Sequence, residues 1–316
     1  MTTLRIAGLL LLLAVLAIGV PLLGGPFWTA LATQILIFGL LALSVDLLLG
    51  QAGLFSLTHA SFFAVSAYTV AILQVRYQVP AYLAAPAGLL AGTMLGVIFG
   101  VAVRTRGVYF ILISIAMGYV VWGMAVRWSS FTGGDNGITN VPPLALGPWR
   151  LESMTAYYVF VLAVVTISLF AYRRLLASPY GLALRGIKGS EPRMQSIGYV
   201  PGAHLYSAFV LSAFIASLAG VLYVYYNRFV NPVASSFQNS VEAALMAIIG
   251  GSGTIVGPFV GAAAVLGLRN WGSAYFEMHH AVMGVVFIAT VLWAGDGIVG
   301  LAKRLTRRYN RSGGRA

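Results

Sequence analysis

Long apolar runs alternate with short polar interruptions along the whole chain. Uninterrupted apolar stretches cover about 6–24, 27–49, 60–75, 80–103, 107–126, 154–172, 203–226, 241–268 and 281–299. A helix needs about 20 apolar residues to cross about 30 Å of hydrocarbon, so these runs read as spanning helices. The eighth is too long for one span. Gly250-Gly251-Ser252-Gly253-Thr254 breaks it near its middle, with Gly257-Pro258 just beyond. Splitting it there predicts an all-α, polytopic helical membrane protein of about ten transmembrane segments, a single transmembrane domain over 1–316. Its first segment of the split pair fits only if residues from about 237 join it. Arg5 before a Leu-rich run resembles a signal peptide, but the run is long enough to span and no small-x-small site follows.

The basic residues test the count. Of 19 Lys and Arg, ten segments with both ends inside leave only Arg76, Arg127, Arg150, Arg228 and Arg269 outside. Arg104 and Arg106, the loop at about 173–201 and the basic tail at about 302–316 then lie inside, as the positive-inside rule demands. Nine unbroken runs would leave the tail outside. Parity also permits two halves of five with inverted topology, although no sequence repeat is visible. Composition agrees: 59% of residues are hydrophobic and 8% charged, against about a quarter charged in soluble domains. A disordered chain is excluded on the same ground. The net charge of +12 is thereby an orientation signal rather than a nucleic-acid footprint. With no cysteine, disulfides, thiolate metal sites and cysteine nucleophiles are excluded.

Candidate chemistry sits where the apolar pattern fails. The stretch Gly50-Gln51-Ala52-Gly53-Leu54-Phe55-Ser56-Leu57-Thr58-His59 is small and polar, unlike the other inner loops. Irregular backbone at membrane depth is tolerated only inside protein or beside a watery cavity. Gln51, Ser56, Thr58 and His59, with Gly250, Gly251 and Gly253 of the second break, are therefore candidate pathway or gate positions. A tight turn with Ser or Thr capping the next helix is the plainer alternative. Asp46 and Glu242 are ionisable groups within runs, functional by default, but both fall near predicted ends where hydration or a helix terminus satisfies a charge. The inner loop is long enough for short helices around 178–198: Leu182, Arg185 and Lys188 or Gly189 share one helical face, and Pro192 suits the first turn of a second helix after Glu191. That compact, mixed-charge element fits docking onto a soluble partner or a plain positive-inside anchor. The external loop at about 127–153, with Thr132-Gly133-Gly134-Asp135-Asn136-Gly137, is turn-rich.

Signals for catalysis are weak. Gly181-x4-Gly186 before Ile187-Lys188 sets the lysine one place late for a phosphate loop, and no Ser or Thr follows. There is no H-E-x-x-H and no nucleophile elbow. Glu277, His279 and His280 are a sparse metal-ligand set, so no metal site is expected.

Taken in order, these same segments resemble the permease subunits of branched-chain amino acid ABC importers, of the LivM type. The resemblance runs nearly end to end. It comprises Asp46 to Phe63 with Ala67-Tyr68, then Arg104-Thr-Arg106-Gly107-Val-Tyr109-Phe110, then Thr132-Gly133-Gly134. Pro179-Tyr180-Gly181-x3-Arg185 with Glu191-Pro192 and Gly198 follows, then Glu242-Ala243 with Gly250-Gly251-x-Gly253-Thr254-x2-Gly257-Pro258. Thr58 stands where a glycine usually precedes the histidine, Asp46 where Asn is also frequent, and Ala294-Gly295-Asp296-Gly297 where a Pro-Arg-Gly-like turn is usual.

The resemblance implies a non-catalytic transport subunit in a bacterial inner (plasma) membrane. It implies a second homologous permease, forming a heterodimer, two ATPase subunits and a solute-binding protein. This chain would bind no cofactor, ATP and magnesium belonging to the ATPases, and its 173–201 loop would dock them through Gly181, Arg185, Lys188, Glu191, Pro192 and Gly198. The implied cargo is branched-chain or related small apolar amino acids. Urea, short amides or other small solutes are the alternative cargo. A self-sufficient channel or ion-coupled carrier should carry more ionisable groups at mid-membrane.

Overall fold

The computed structural model describes residues 2–146, 149–275, 284 and 297–300. Within them the chain is almost entirely helical. The one sheet is a two-residue antiparallel ribbon of β1 (Ala145–Leu146) and β2 (Trp149–Arg150) in the 127–153 loop. The first helix, α1 (Thr2–Asp46), is two helices in line, interrupted at Gly25 with φ 69° and ψ −174° just before Pro26. A residue before proline is pushed out of the helical region, and glycine alone accepts the positive φ cheaply. The join falls between the first two apolar runs.

The remaining runs become α2 (His59–Val75), α3 (Ala81–Phe99), α4 (Val108–Arg127), α6 (Met154–Ala177) and α9 (Pro201–Asn227), with a one-turn α5 (Ser129–Thr132) in the loop after α4. A 3₁₀ turn extends α3 to Arg104. Gly24–Ala52, Ala81–Arg104, α4, α6 and α9 are long and apolar enough to cross a membrane, and α2 is a shorter apolar helix. The split of the eighth run is present: α10 (Phe237–Gly250) and α11 (Gly257–Tyr275) flank a glycine turn. Residues from Phe237 do join the first of the pair. The last run, 281–299, lies outside the described residues apart from Gly284 and 297–299.

These helices are apolar all round, as buried or membrane helices are. Among the described residues, the second half of α1, α2 and α9 form the interior. Ile37, Leu40, Leu41, Phe62, Phe63 and Phe209 are wholly or almost wholly buried. By contrast α3, α4 and α6 keep large apolar side chains exposed, including Leu90, Met94, Ile98, Leu112, Tyr119, Ile167 and Phe170. A surface of that kind requires lipid or another subunit against it.

In lipid, close helix approach depends on small residues and inter-helix hydrogen bonds rather than on expulsion of water. Here α3 presents Gly88, Gly92, Gly96 and Gly100 at four-residue spacing toward α2 and α9. A Cβ at Gly88 would sit 2.7 Å from the Ser66 carbonyl oxygen, one at Gly92 2.7 Å from that of Phe62, and one at Gly100 2.7 Å from the Tyr206 ring. Hydroxyls add cross-links: Ser66 donates to the Ser217 carbonyl at 2.8 Å and Tyr157 to that of Leu222 at 2.6 Å.

The loops sort to two opposite ends. At one end the 50–58 stretch, the α3–α4 turn, the 178–200 hairpin and the 251–256 turn meet. At the other, Arg76 donates to the Ser130 carbonyl at 2.5 Å and Ile138 pairs with Val230 in a β-bridge. The Val141 N–H adds a bond to the Arg228 carbonyl at 3.1 Å. This two-ended sorting is compatible with the alternation expected from the basic residues, with one correction. Arg269, expected in an outer loop, is inside α11, because α11 starts at Gly257 and runs to Tyr275.

Candidate functional site

The last turn of the first interior helix widens into a π-helix over Leu47–Ala52, closed by Gly53 at φ 74°. Wide turns of this kind concentrate at functional sites. The turn lies directly against the second break. The Gly253 N–H donates to Asp46 Oδ1 at 2.6 Å, and Gln51 Nε2 donates to the Gly253 carbonyl at 3.2 Å. Tyr172 of α6 donates to Asp46 Oδ2 at 3.4 Å. Only glycine permits the approach: a Cβ on Gly50 would lie 2.8 Å from Gly253 Cα. Gly251 and Gly253 themselves have φ of 117° and 79°, Gly250 ends α10, and Thr254 caps α11 by accepting from the Gly257 N–H at 3.0 Å. So two segments about 200 residues apart in sequence, singled out separately for their polarity, form one junction. Asp46 is not a hydrated helix end; it is fully buried and bonded to that junction.

The 178–200 hairpin is the third component. It folds as α7 (Pro179–Gly189) and α8 (Glu191–Ser196), with Pro179 and Pro192 in the first turns. Leu182, Arg185 and Lys188 share the exposed face, while Gly181, Leu184 and Ile187 are buried. Gly181 packs on the backbone of Leu175 and Leu176, where a Cβ would come within 2.6 Å of Leu176 Cα. The hairpin touches the junction through its cations. Lys188 Nζ donates to the Gly50 carbonyl at 2.7 Å, and Arg185 reaches Gln51 Oε1 at 3.5 Å. At its far side Glu191 accepts two bonds from Arg106 of the α3–α4 turn, at 3.0 and 2.9 Å, and Arg106 also donates to the Val103 carbonyl. Hydrogen bonding to that guanidinium holds the Glu191 carboxyl below its ordinary range. Gly198, at φ 88°, turns the chain into α9.

The polar stretch between the junction and α2 is interior. Ser56, Thr58 and His59 are at most 1% exposed. His59 Nε2 lies 2.6 Å from Ser212 Oγ, which donates to the Ser44 carbonyl at 2.8 Å. The capping alternative does not hold for Thr58: it occupies the N-cap of α2 but makes no side-chain cap bond. Ser56 Oγ, Thr58 Oγ1 and Ser61 Oγ have no hydrogen-bond partner among the described residues. Each such buried group costs about 1–3 kcal/mol.

Glu242 stands apart from this junction, toward the other end of the molecule. It is 8% exposed, a turn and a half into α10, and pairs with Arg269 of α11 at 3.6 Å. An ion pair, not hydration at a helix end, balances its charge. Both line a cavity of about 340 Å³ with Gln34, Phe38, Tyr223 and Asn239.

Three residues that contact the candidate positions escaped the sequence reading. Arg269 was hidden by the placement of α11's end, and Tyr172 and Ser212 lie in otherwise apolar runs where only the fold shows what they face. The glycine row of α3 was readable from its four-residue spacing. Glu277, His279 and His280 lie outside the described residues; among those described, no group of three or more His, Asp or Glu is placed to hold a metal.

The described residues form a nearly all-helical, multi-pass membrane protein in which two broken helices and a loop hairpin meet at one junction. Residues 27–291 match the family described as branched-chain amino acid transport system / permease component, and the chain belongs to it. It is similar to the high-affinity branched-chain amino acid transport system permease protein LivM of Salmonella typhimurium, 26% identical over 93% of this chain and 75% of the relative. The LivM protein of Escherichia coli is 27% identical over the same shares. No solved structure matches the chain.

Proposed function

We propose that this chain is the membrane-spanning permease subunit of an ATP-driven importer, working without catalysis of its own. Its cargo is branched-chain or related small apolar amino acids, handed over by a solute-binding protein at the external face. The whole of 1–316 acts as one permease domain in the bacterial inner membrane, with both termini cytoplasmic. Two ATPase subunits, holding the ATP and magnesium, dock on α7 and α8, and a second, homologous permease completes the pathway as a heterodimer. Family membership supports the transport assignment, and the relatives' names support the cargo.

The observation that carries the mechanism is the contact of Lys188 and Arg185 with Gly50 and Gln51. A pull on α7 is transmitted through two polar contacts to the π-helical turn, and from there to the glycine break through Asp46 and Gln51. Coupling needs an element with two arrangements and different contacts in each. Hydrogen bonds that cross between two breaks are of that kind, since opening exchanges them for water. The buried hydroxyls of Ser56, Thr58 and Ser61 then gain partners in the opened state. The Glu191–Arg106 pair anchors α8 to the α3–α4 turn, so the hairpin moves with that turn.

The test is reconstitution. Tagged protein purified from its native membrane is expected to bring down two ATPase subunits and a second permease. In proteoliposomes, labelled leucine should accumulate only with ATP and binding protein. Accumulation by this chain alone, or uptake that survives ATP depletion, overturns the assignment.

A further inference from the structure

The cavity around Glu242 and Arg269 is distinct from the inner junction and plays no part in the coupling described above. Its six most informative lining residues are Gln34 and Phe38 of α1, Tyr223 of α9, Asn239 and Glu242 of α10, and Arg269 of α11. Asn227, Val233 and Ser236 also border it, which sets it beside the 228–236 loop, at the end opposite the docking hairpin. Its volume of about 340 Å³ falls within the range of small-molecule sites, about 300–1,000 Å³.

Its electrostatics are unusual for this protein. Glu242 and Arg269 have side chains 11% and 33% exposed and lie 3.6 Å apart. Among the described residues no other ion pair joins two helices packed against each other. Removing both charges from water roughly cancels their attraction, so stability alone does not account for such a pair. Charged groups at this depth characteristically mark a ligand path.

We infer that this cavity is a zwitterion site, in which Arg269 takes the carboxylate and Glu242 the ammonium of an α-amino acid. An α-amino acid carries both charges on one carbon and has no net charge. Inserted between the two side chains, it replaces one ion pair with two and leaves no buried charge unbalanced. The rings form the other half of the site. Phe38 lies 5.9 Å from the Arg269 guanidinium and 6.0 Å from the Tyr223 ring, offering an apolar wall to an aliphatic side chain. Gln34 and Asn239 supply neutral amide edges. An uncharged amide or urea needs neither charge, so the pair selects amino acids over such solutes. The inference rests on the importer reading for the direction of transport, and the two fail separately.

The experiment uses the complete importer in nanodiscs and proteoliposomes. Saturable binding of labelled leucine to the wild-type complex, without binding protein, is expected. The competitors 4-methylpentanoic acid, 3-methylbutan-1-amine and acetamide each lack at least one of the two charges. Each should compete at least about tenfold more weakly than leucine, the value of one lost charged hydrogen bond. E242Q and R269Q should each reduce ATP-driven leucine uptake by a similar factor. The double variant E242Q/R269Q leaves no unpaired buried charge, so it should fold as the wild type does and still fail to transport. Equal competition by a single-charge analogue, absence of saturable leucine binding, or uptake by the folded double variant at the wild-type rate overturns the zwitterion site. Failure of the wild-type complex to accumulate any amino acid with ATP overturns the importer reading instead.

Discussion

Replacing Asp46 isolates the contact between the two breaks. Its carboxyl accepts the Gly253 N–H at 2.6 Å and, more weakly, the Tyr172 hydroxyl at 3.4 Å. Leucine has a similar shape and accepts nothing. A single intramolecular hydrogen bond contributes about 0.5–1.5 kcal/mol. Its loss shifts a two-state inner face about 2- to 12-fold toward the opened arrangement. The fold should not suffer in proportion, because Asp46→Leu also removes the cost of burying a polar group. Asp46→Asn keeps an acceptor for Gly253 and should stay close to the wild type. The chain has no cysteine, so a single Ser56→Cys, at a position 1% exposed, reports opening through its labelling rate with an impermeant thiol reagent from the inner side. Asp46→Leu is expected to speed labelling at least about twofold and to raise the ATP hydrolysed per leucine imported. Unchanged labelling and coupling, or equal effects of the Leu and Asn substitutions, would refute the junction.

Two further outcomes follow from the packing and the charges. In a double-mutant cycle, Arg106→Gln and Glu191→Gln should couple by about 0.5–1 kcal/mol, because the side chains are 38% and 30% exposed and solvent screens them. Since the Glu191 carboxyl is held below its ordinary value of 4.5, this contribution is complete above that value and disappears as pH falls through the depressed one. Coupling that grows on acidification would contradict the pair. Gly92→Val should lower the melting temperature of the purified protein, the overpacking costing about 1–3 kcal/mol, while valine at Gly123, where nothing lies within 4 Å of a Cβ, should not.

What the sequence made legible was the set of breaks. Spanning helices follow from run length, and Gly250 to Thr254 announces its turn because glycines interrupt apolar residues. The two helices of the hairpin follow from Pro179 and Pro192 at first-turn positions. What sequence could not supply was which breaks meet: Asp46 and Gly253 are neighbours only because α1, α10 and α11 pack together. Arg269 was misplaced for a related reason. A lone cation near the end of an apolar run reads as the start of a loop until a carboxylate on the adjacent helix is seen to pair with it. The glycine row of α3 was visible but carried no meaning until α2 and α9 were known to lie against it.

The central claim is that movement of the hairpin reaches the broken helices through the Lys188 contact. In the reconstituted importer Lys188→Met, which removes the ammonium that donates to the Gly50 carbonyl, should lower the leucine imported per ATP hydrolysed, while Lys188→Arg, which keeps a cationic donor, should retain most of it. A Lys188→Met complex that imports as much leucine per ATP as the wild type would contradict the claim.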